Sequence, residues 1–209
     1  MLNNSIIKKA AEYVRSIQIK ADESGHDWHH TERVWLNTKY LATKIECNTE
    51  LAELGALFHD IADAKFHNGD ETIGAALTKE WLENQFYDKE KIDTVVFIVD
   101  HVSFRKKYKP NPKTHPELSV VQDADRLDAM GAIGIARAFS YGGYKQRPLY
   151  TANFKEASST IGHFYEKLLT LYKLMNTEPA KELAKERHDF MVSFLEQFQK
   201  DILPIKYLG

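Results

Sequence analysis

The adjacent pair His59-Asp60, set against His30 upstream and Asp125 downstream, offers two imidazole nitrogens and two carboxylate oxygens. Nitrogen and oxygen donors in that number suit one divalent cation and leave coordination positions for water and substrate. A structural metal more often takes thiolates or has its shell closed by protein. The lone Cys47 excludes both an intrachain disulfide and a cysteine-based zinc site. The chemistry implied is metal-assisted hydrolysis, in which the ion activates a water and polarises the bond under attack.

Neighbouring positions sharpen this assignment. Val121 precedes Asp125 by four residues and Ala129 follows it by four, so Asp125 lies on an inward-facing helical stripe. A carboxylate there needs a partner or a metal, because an isolated buried charge is very costly. Asp123, two residues away, should point elsewhere. Asp128, one turn on, shares the Asp125 face, and Asp63 shares the face of Asp60. Asp63 and Asp128 are therefore expected to position a water. His101, next to Asp100, has the titration range of a general acid. His26 and His29 crowd the same helix start as His30 and compete with it. For phosphate charge, the candidate cations are Arg126, Lys65, Lys145 and Arg147, with Arg105, Lys106 and Lys107 in a basic loop.

The elements that must hold these groups read as helices almost throughout. Ile6, Ala10, Val14 and Ile17 form one stripe, capped by Asn4 or Ser5. A second helix is predicted from about Asp27 to Ile45. A third, starting near Asn48-Thr49, carries His59 and Asp60 late in its length. Asp70 and Asp88 are expected to cap the fourth and fifth. The β-branched run Thr94 to Val99 would also suit a buried strand, but its three-four spacing favours helix. Pro116 opens a sixth helix predicted to run to Ser140 and to stop at Gly142-Gly143. Two long amphipathic helices close the chain, marked by Ile161, Phe164, Leu168 and Tyr172, then by Leu183, Phe190, Phe194 and Phe198. The expectation is one all-α domain, a helical bundle over residues 1–209. Its motif core lies at about 26–130, with C-terminal helices at about 157–203 packed on it.

Bulk properties narrow the partners. With 209 residues, 43% hydrophobic and 28% charged, the chain can bury one sizeable core. A formal net charge of -2 argues against a dedicated nucleic-acid or membrane-surface binder. The N-terminal segment Met-Leu-Asn-Asn-Ser-Ile-Ile-Lys-Lys lacks a signal-peptide stretch, so a cytoplasmic location is expected. Aromatic stripes on the last two helices hint at a homodimer.

Three segments together carry a resemblance: Gly25-His26-Asp27-Trp28-His29-His30, Leu57-Phe58-His59-Asp60-Ile61-Ala62-Asp63-Ala64-Lys65-Phe66, and Val121-Gln122-Asp123-Ala124-Asp125-Arg126-Leu127-Asp128-Ala129. With the flanks at Gly131–Arg137 and His163–Leu168, they resemble the HD-domain metal-dependent phosphohydrolases, in particular a small bacterial single-domain branch. Some members of that branch are nucleotide pyrophosphohydrolases. The resemblance implies that His30, His59, Asp60 and Asp125 hold one Mn²⁺, Mg²⁺ or Fe²⁺ ion. It implies a phosphorylated small molecule, a nucleotide, as substrate, with cleavage of a triphosphate to monophosphate and pyrophosphate as one such reaction. In related stringent-response hydrolases an acidic pair follows His-Asp; here Ala62-Asp63 keeps only one acid. Two other readings stand beside this: an iron-dependent oxygenase on the same scaffold, and a nucleotide-binding regulator with a relic site.

Overall fold

The computed structural model describes residues 6–18, 27–62, 72–103, 109–111 and 113–202, and every regular element among them is helical. The chain is all-α. In order, the α-helices are α1 (Ile6–Gln18), α2 (Trp28–Ala42), α3 (Thr49–Phe58), α4 (Ile73–Asn84), α5 (Lys89–His101), α6 (Pro116–Asp128), α7 (Gly131–Tyr144), α8 (Thr160–Glu166) and α9 (Glu178–Ile202). A 3₁₀ helix, Leu168–Leu174, separates the last two. No helix of the described residues is long and apolar enough to cross a membrane.

Contacts group the chain into two compact units, Met1–Asp125 with Asn176–Ala180, and Arg126–Met175 with Lys181–Gly209. In the first, α3 is the central element: α1, α2 and α5 all pack on it, and α4 packs on α5. Leu51, Leu54, Leu57 and Phe58 of α3 meet Val14, Leu82, Ile92, Val95 and Val99 in one buried cluster. Phe58 also lies against Trp81 and Tyr13, with ring centroids 5.2 and 6.3 Å away. Burial of such side chains stabilises the unit by about 1.5–3 kcal/mol each. Caps fix where the helices start. Asn48 accepts from Leu51 N at 3.2 Å and Asp88 from Glu90 N at 3.0 Å, as the sequence predicts. Asp27 does the same for α2, accepting from His30 N at 2.9 Å. The Thr94–Val99 run is helical, inside α5. Asn4, Ser5 and Asp70 lie outside the described residues; α4 begins after Thr72, whose side chain makes no cap hydrogen bond.

Several boundaries differ from the sequence expectation. The helix predicted from Pro116 to Ser140 is two helices, broken at Ala129-Met130. Met130 is extended and Gly131 takes φ +66°, a left-handed conformation that favours glycine. Nor do Gly142-Gly143 stop α7, which continues to Tyr144. Gly142 serves packing instead, since a β-carbon there would collide with Thr160 Oγ1.

The second unit holds an aromatic cluster in which Phe139 meets Phe164, Phe194 and Phe198 at 6.0–6.2 Å. The first of the two predicted closing helices is in fact α8 followed by the 3₁₀ helix, because Lys167 leaves helical backbone at φ -130°, ψ -58°. On α9 the buried stripe runs through Ala184, Met191 and Leu195, and Phe190 is 54% exposed, off the core face.

Candidate metal centre

His30 enters from the first turn of α2, where the Asp27 cap sets the helix phase. His59 is the residue that closes α3, not a residue within it, and Asp60 follows in the turn. That difference matters. His59 itself keeps helical backbone angles, φ -56° and ψ -31°, so its convergence with Asp60 relies on the turn that follows and on the different lengths of the two side chains. Asp125 comes from α6.

The four groups meet. His30 Nε2 stands 3.2 Å from His59 Nε2, 3.3 Å from Asp60 Oδ2 and 3.5 Å from Asp125 Oδ1. His59 Nε2 stands 3.4 Å from Asp60 Oδ2 and 3.9 Å from Asp125 Oδ1. These edges are longer than the usual 2.9–3.0 Å of an N–H···O bond. The three edges among His30, His59 and Asp60 match donors arrayed about one centre, since ligand bonds of about 2.1 Å at 90–109° give separations of about 3.0–3.4 Å. His30, His59 and Asp60 form the compact metal-competent group, and the Asp125 oxygen lies slightly farther out.

Protonation of His59 follows from its neighbours. Its Nδ1 lies 2.7 Å from the carbonyl oxygen of Ala56. A carbonyl only accepts, so Nδ1 carries the hydrogen and Nε2 presents a lone pair to the other groups. This is how metal-binding histidines are commonly oriented. The two imidazoles are 1% and 2% exposed, whereas Asp60 and Asp125 are 21% and 30% exposed. Rigid nitrogen donors thus form the floor, and the carboxylates edge the open side. As a ligand set, two neutral imidazoles and two carboxylates would bring a formal charge of -2, which a divalent cation would balance.

Gln18 supports the Asp60 end of this arrangement, and Gln122 ties α6 to the end of α5. Gln18, at the end of α1 and 3% exposed, donates from Nε2 to the backbone oxygen of Asp60 at 3.2 Å. Its Oε1 is buried with no hydrogen-bond partner among the described residues. Gln122 of α6 donates to His101 O at 2.8 Å and accepts from Asn176 Nδ2 at 3.2 Å. No periodicity reveals a contact from a side chain to a distant backbone atom. For Gln122 the only signal is its place in the Gln-Asp-Ala-Asp segment.

The other candidates have the following partners. Asp123, fully buried, points away from the metal ligands as expected, and accepts from Asn176 N, Thr177 N and Thr177 Oγ1, all at 2.8 Å. It caps the approach to α9. His101 is held on its own helix, Nδ1 2.9 Å from Phe97 O and its ring 4.2 Å from that of Phe97. His29 is 75% exposed beside Glu32. The Asp128 carboxylate is buried and accepts from Arg137 Nη1. Arg126 donates to Leu174 O at 2.6 Å. Lys145 lies over the rings of Tyr144 and Tyr141, at 4.9 and 5.8 Å, and Arg147 over Tyr141 at 5.8 Å. His26, Asp63, Lys65, Arg105, Lys106 and Lys107 lie outside the described residues.

Known proteins match this chain over nearly all its length. The HD-domain family profile matches residues 27–130, which span all four converging groups. YpgQ of Bacillus subtilis is 42% identical over 200 residues, covering 93% of this chain and 94% of YpgQ. The crystal structure of YpgQ in complex with ADP superposes with a TM-score of 0.78 at 38% identity, covering 94% of this chain and 97% of that one. An HD-superfamily hydrolase of Bacillus thuringiensis superposes with a TM-score of 0.77 at 41% identity, covering 93% and 95%.

Proposed function

The chain belongs to the HD-domain superfamily, and from that premise we propose that it is a metal-dependent phosphohydrolase acting on nucleotides. The convergence of His30, His59, Asp60 and Asp125, with edges of 3.2–3.9 Å, carries the reading. Those four residues hold one divalent ion, Mn²⁺, Mg²⁺ or Fe²⁺. When bound, such an ion lowers the pKa of a coordinated water and polarises a phosphoryl oxygen.

The chain's own residues do the rest. The Ala56 carbonyl keeps His59 in the tautomer that presents Nε2. Gln18 fixes the peptide of Asp60, so its carboxylate stays directed at the two imidazoles. Asp63 is the proposed acid for orienting the attacking water, and His101 the proposed proton donor to the leaving group. Asp128, committed to Arg137, serves the fold in this account. Lys65, Arg126, Lys145 and Arg147 are the proposed cations for phosphate charge, each testable by replacement with glutamine. The nucleotide assignment draws support from the ADP complex of YpgQ. Cleavage of a nucleoside triphosphate to monophosphate and pyrophosphate is the favoured reaction.

A panel of nucleoside mono-, di- and triphosphates, each with Mn²⁺, Mg²⁺ or Fe²⁺, tests this when pyrophosphate and orthophosphate are resolved. Metal-dependent release of either supports the reading, and pyrophosphate from a triphosphate supports its finer form. Nucleotide binding without release under every metal would contradict it.

A further inference from the structure

On the face of α2 turned away from His30, α1, α2 and α3 enclose a groove of about 430 Å³. Trp28, Trp35 and Lys39 line it from α2, and these positions recur at seven and eleven residues. At ~100° per residue they fall within about 20° of one stripe, while His30 sits about 140–200° around the helix. The groove is therefore separate from the metal centre. From α1 come Ile7, Ala11 and Arg15, again one stripe. Its volume suits a single small molecule.

The charges on its rim are unequally matched. Glu12 is 3.9 Å from Lys8, and Glu53 accepts from Trp35 Nε1 at 2.7 Å. Arg15 lies 5.9 Å from the Trp28 ring centroid and Lys39 5.2 Å from that of Trp35. Neither cation has an ion-pair partner among the described residues. Trp35, the edge of the buried Trp28 and two apolar side chains thus make a wall for a flat apolar body, beside two cations without a counter-charge. A cation already over an indole polarises that surface and stays available to an anion. We propose that this groove is a second ligand site, for a small planar aromatic molecule carrying one anionic group.

Calorimetric titration of the full chain in EDTA with 2-naphthoate tests the proposal, with 2-naphthylmethanol as the uncharged control. Expected is saturable one-to-one binding of the anion, at least about fivefold tighter than the alcohol, as one ionic contact contributes. Arg15→Ala and Lys39→Ala, both at exposed positions, should each weaken it about fivefold. His59→Ala should leave it unchanged. No saturable binding up to millimolar probe overturns the proposal. So does equal binding of the alcohol, or loss in His59→Ala with retention in Arg15→Ala. If the groove is instead a face for a second copy of this chain, sedimentation shows self-association that Arg15→Ala and Lys39→Ala abolish, which also overturns it. The metal-centre reading survives any of these results, because the titration contains no metal.

Discussion

The Nε2 atoms of His30 and His59 stand 3.2 Å apart, one from the opening turn of α2 and the other from the residue that closes α3. With Nδ1 of His59 donating to Ala56 O, Nε2 of the neutral ring has only a lone pair to offer. The contact is then either a long N–H···N bond or the edge of a site built for a cation. The two carboxylates around it decide for the cation, since they bring the charge a divalent ion would balance.

Gln18 should matter to metal affinity more than to stability. Its amide holds the Asp60 peptide, and removing a group that orients a metal ligand commonly costs about 10–100-fold in affinity. Gln18→Ala is expected to weaken metal binding about tenfold in a chelator competition, with a thermal midpoint within a few degrees of wild type. Unchanged affinity would remove Gln18 from the account.

The convergence of His30, His59, Asp60 and Asp125 was legible because their residue types are costly on inward helix faces and therefore demand a reason. The α5 helix was legible through its three-four spacing, against the β-propensity of Thr94, Val95 and Val96. The break after α6 was not, since the glycine that makes it, Gly131, sits in a run of small residues that reads equally well as continuous helix. Phe190 was misplaced for a related reason: aromatic spacing alone did not separate it from the stripe of Ala184, Met191 and Leu195. Gln18 and Arg137 were invisible as partners because the residues they meet lie outside any local period. Asp128 lies a turn from Asp125 and reads as a site residue; its ion pair with Arg137 is a partner that spacing alone does not reveal.

Asp123 makes a separate prediction. Three donors at 2.8 Å and complete burial make its carboxylate the tie between α6 and the start of α9. Asp123→Ala orphans those donors and should destabilise the protein by about 2–4 kcal/mol. Urea denaturation checks this. On the proposed single-domain organisation over residues 1–209 it should run as one transition by fluorescence and circular dichroism alike.

Asp128→Asn removes a buried charge but leaves Arg137, which is 26% exposed and keeps access to water. The expected loss is about 1–3 kcal/mol, below that for a fully buried pair. Metal content by elemental analysis should stay at the wild-type value. A metal-free variant of normal stability would return Asp128 to the site.

Stability should also depend on pH. Burial holds the imidazoles of His163 and His188 below the usual histidine range, with Glu166 partly opposing this at His163. A folded-state pKa below the unfolded one means that the unfolded chain binds protons first. The contribution is full above the unfolded value, about 6.5, and is lost as pH falls from there toward the folded values. The thermal midpoint in EDTA should drop between pH 7.5 and 5.5, and His163→Gln should flatten that drop. A midpoint that rises over this interval would contradict the assignment.

The most direct test of the central claim is metal content and nucleotide turnover measured together on Asp60→Ala. Asp60 is partly open to solvent and its side chain lies outside the buried apolar cluster, so the variant should fold. In this variant the bound divalent ion and metal-dependent phosphate or pyrophosphate release should be lost together. A folded Asp60→Ala protein that hydrolyses nucleotides at the wild-type rate with the same metal dependence would contradict that claim.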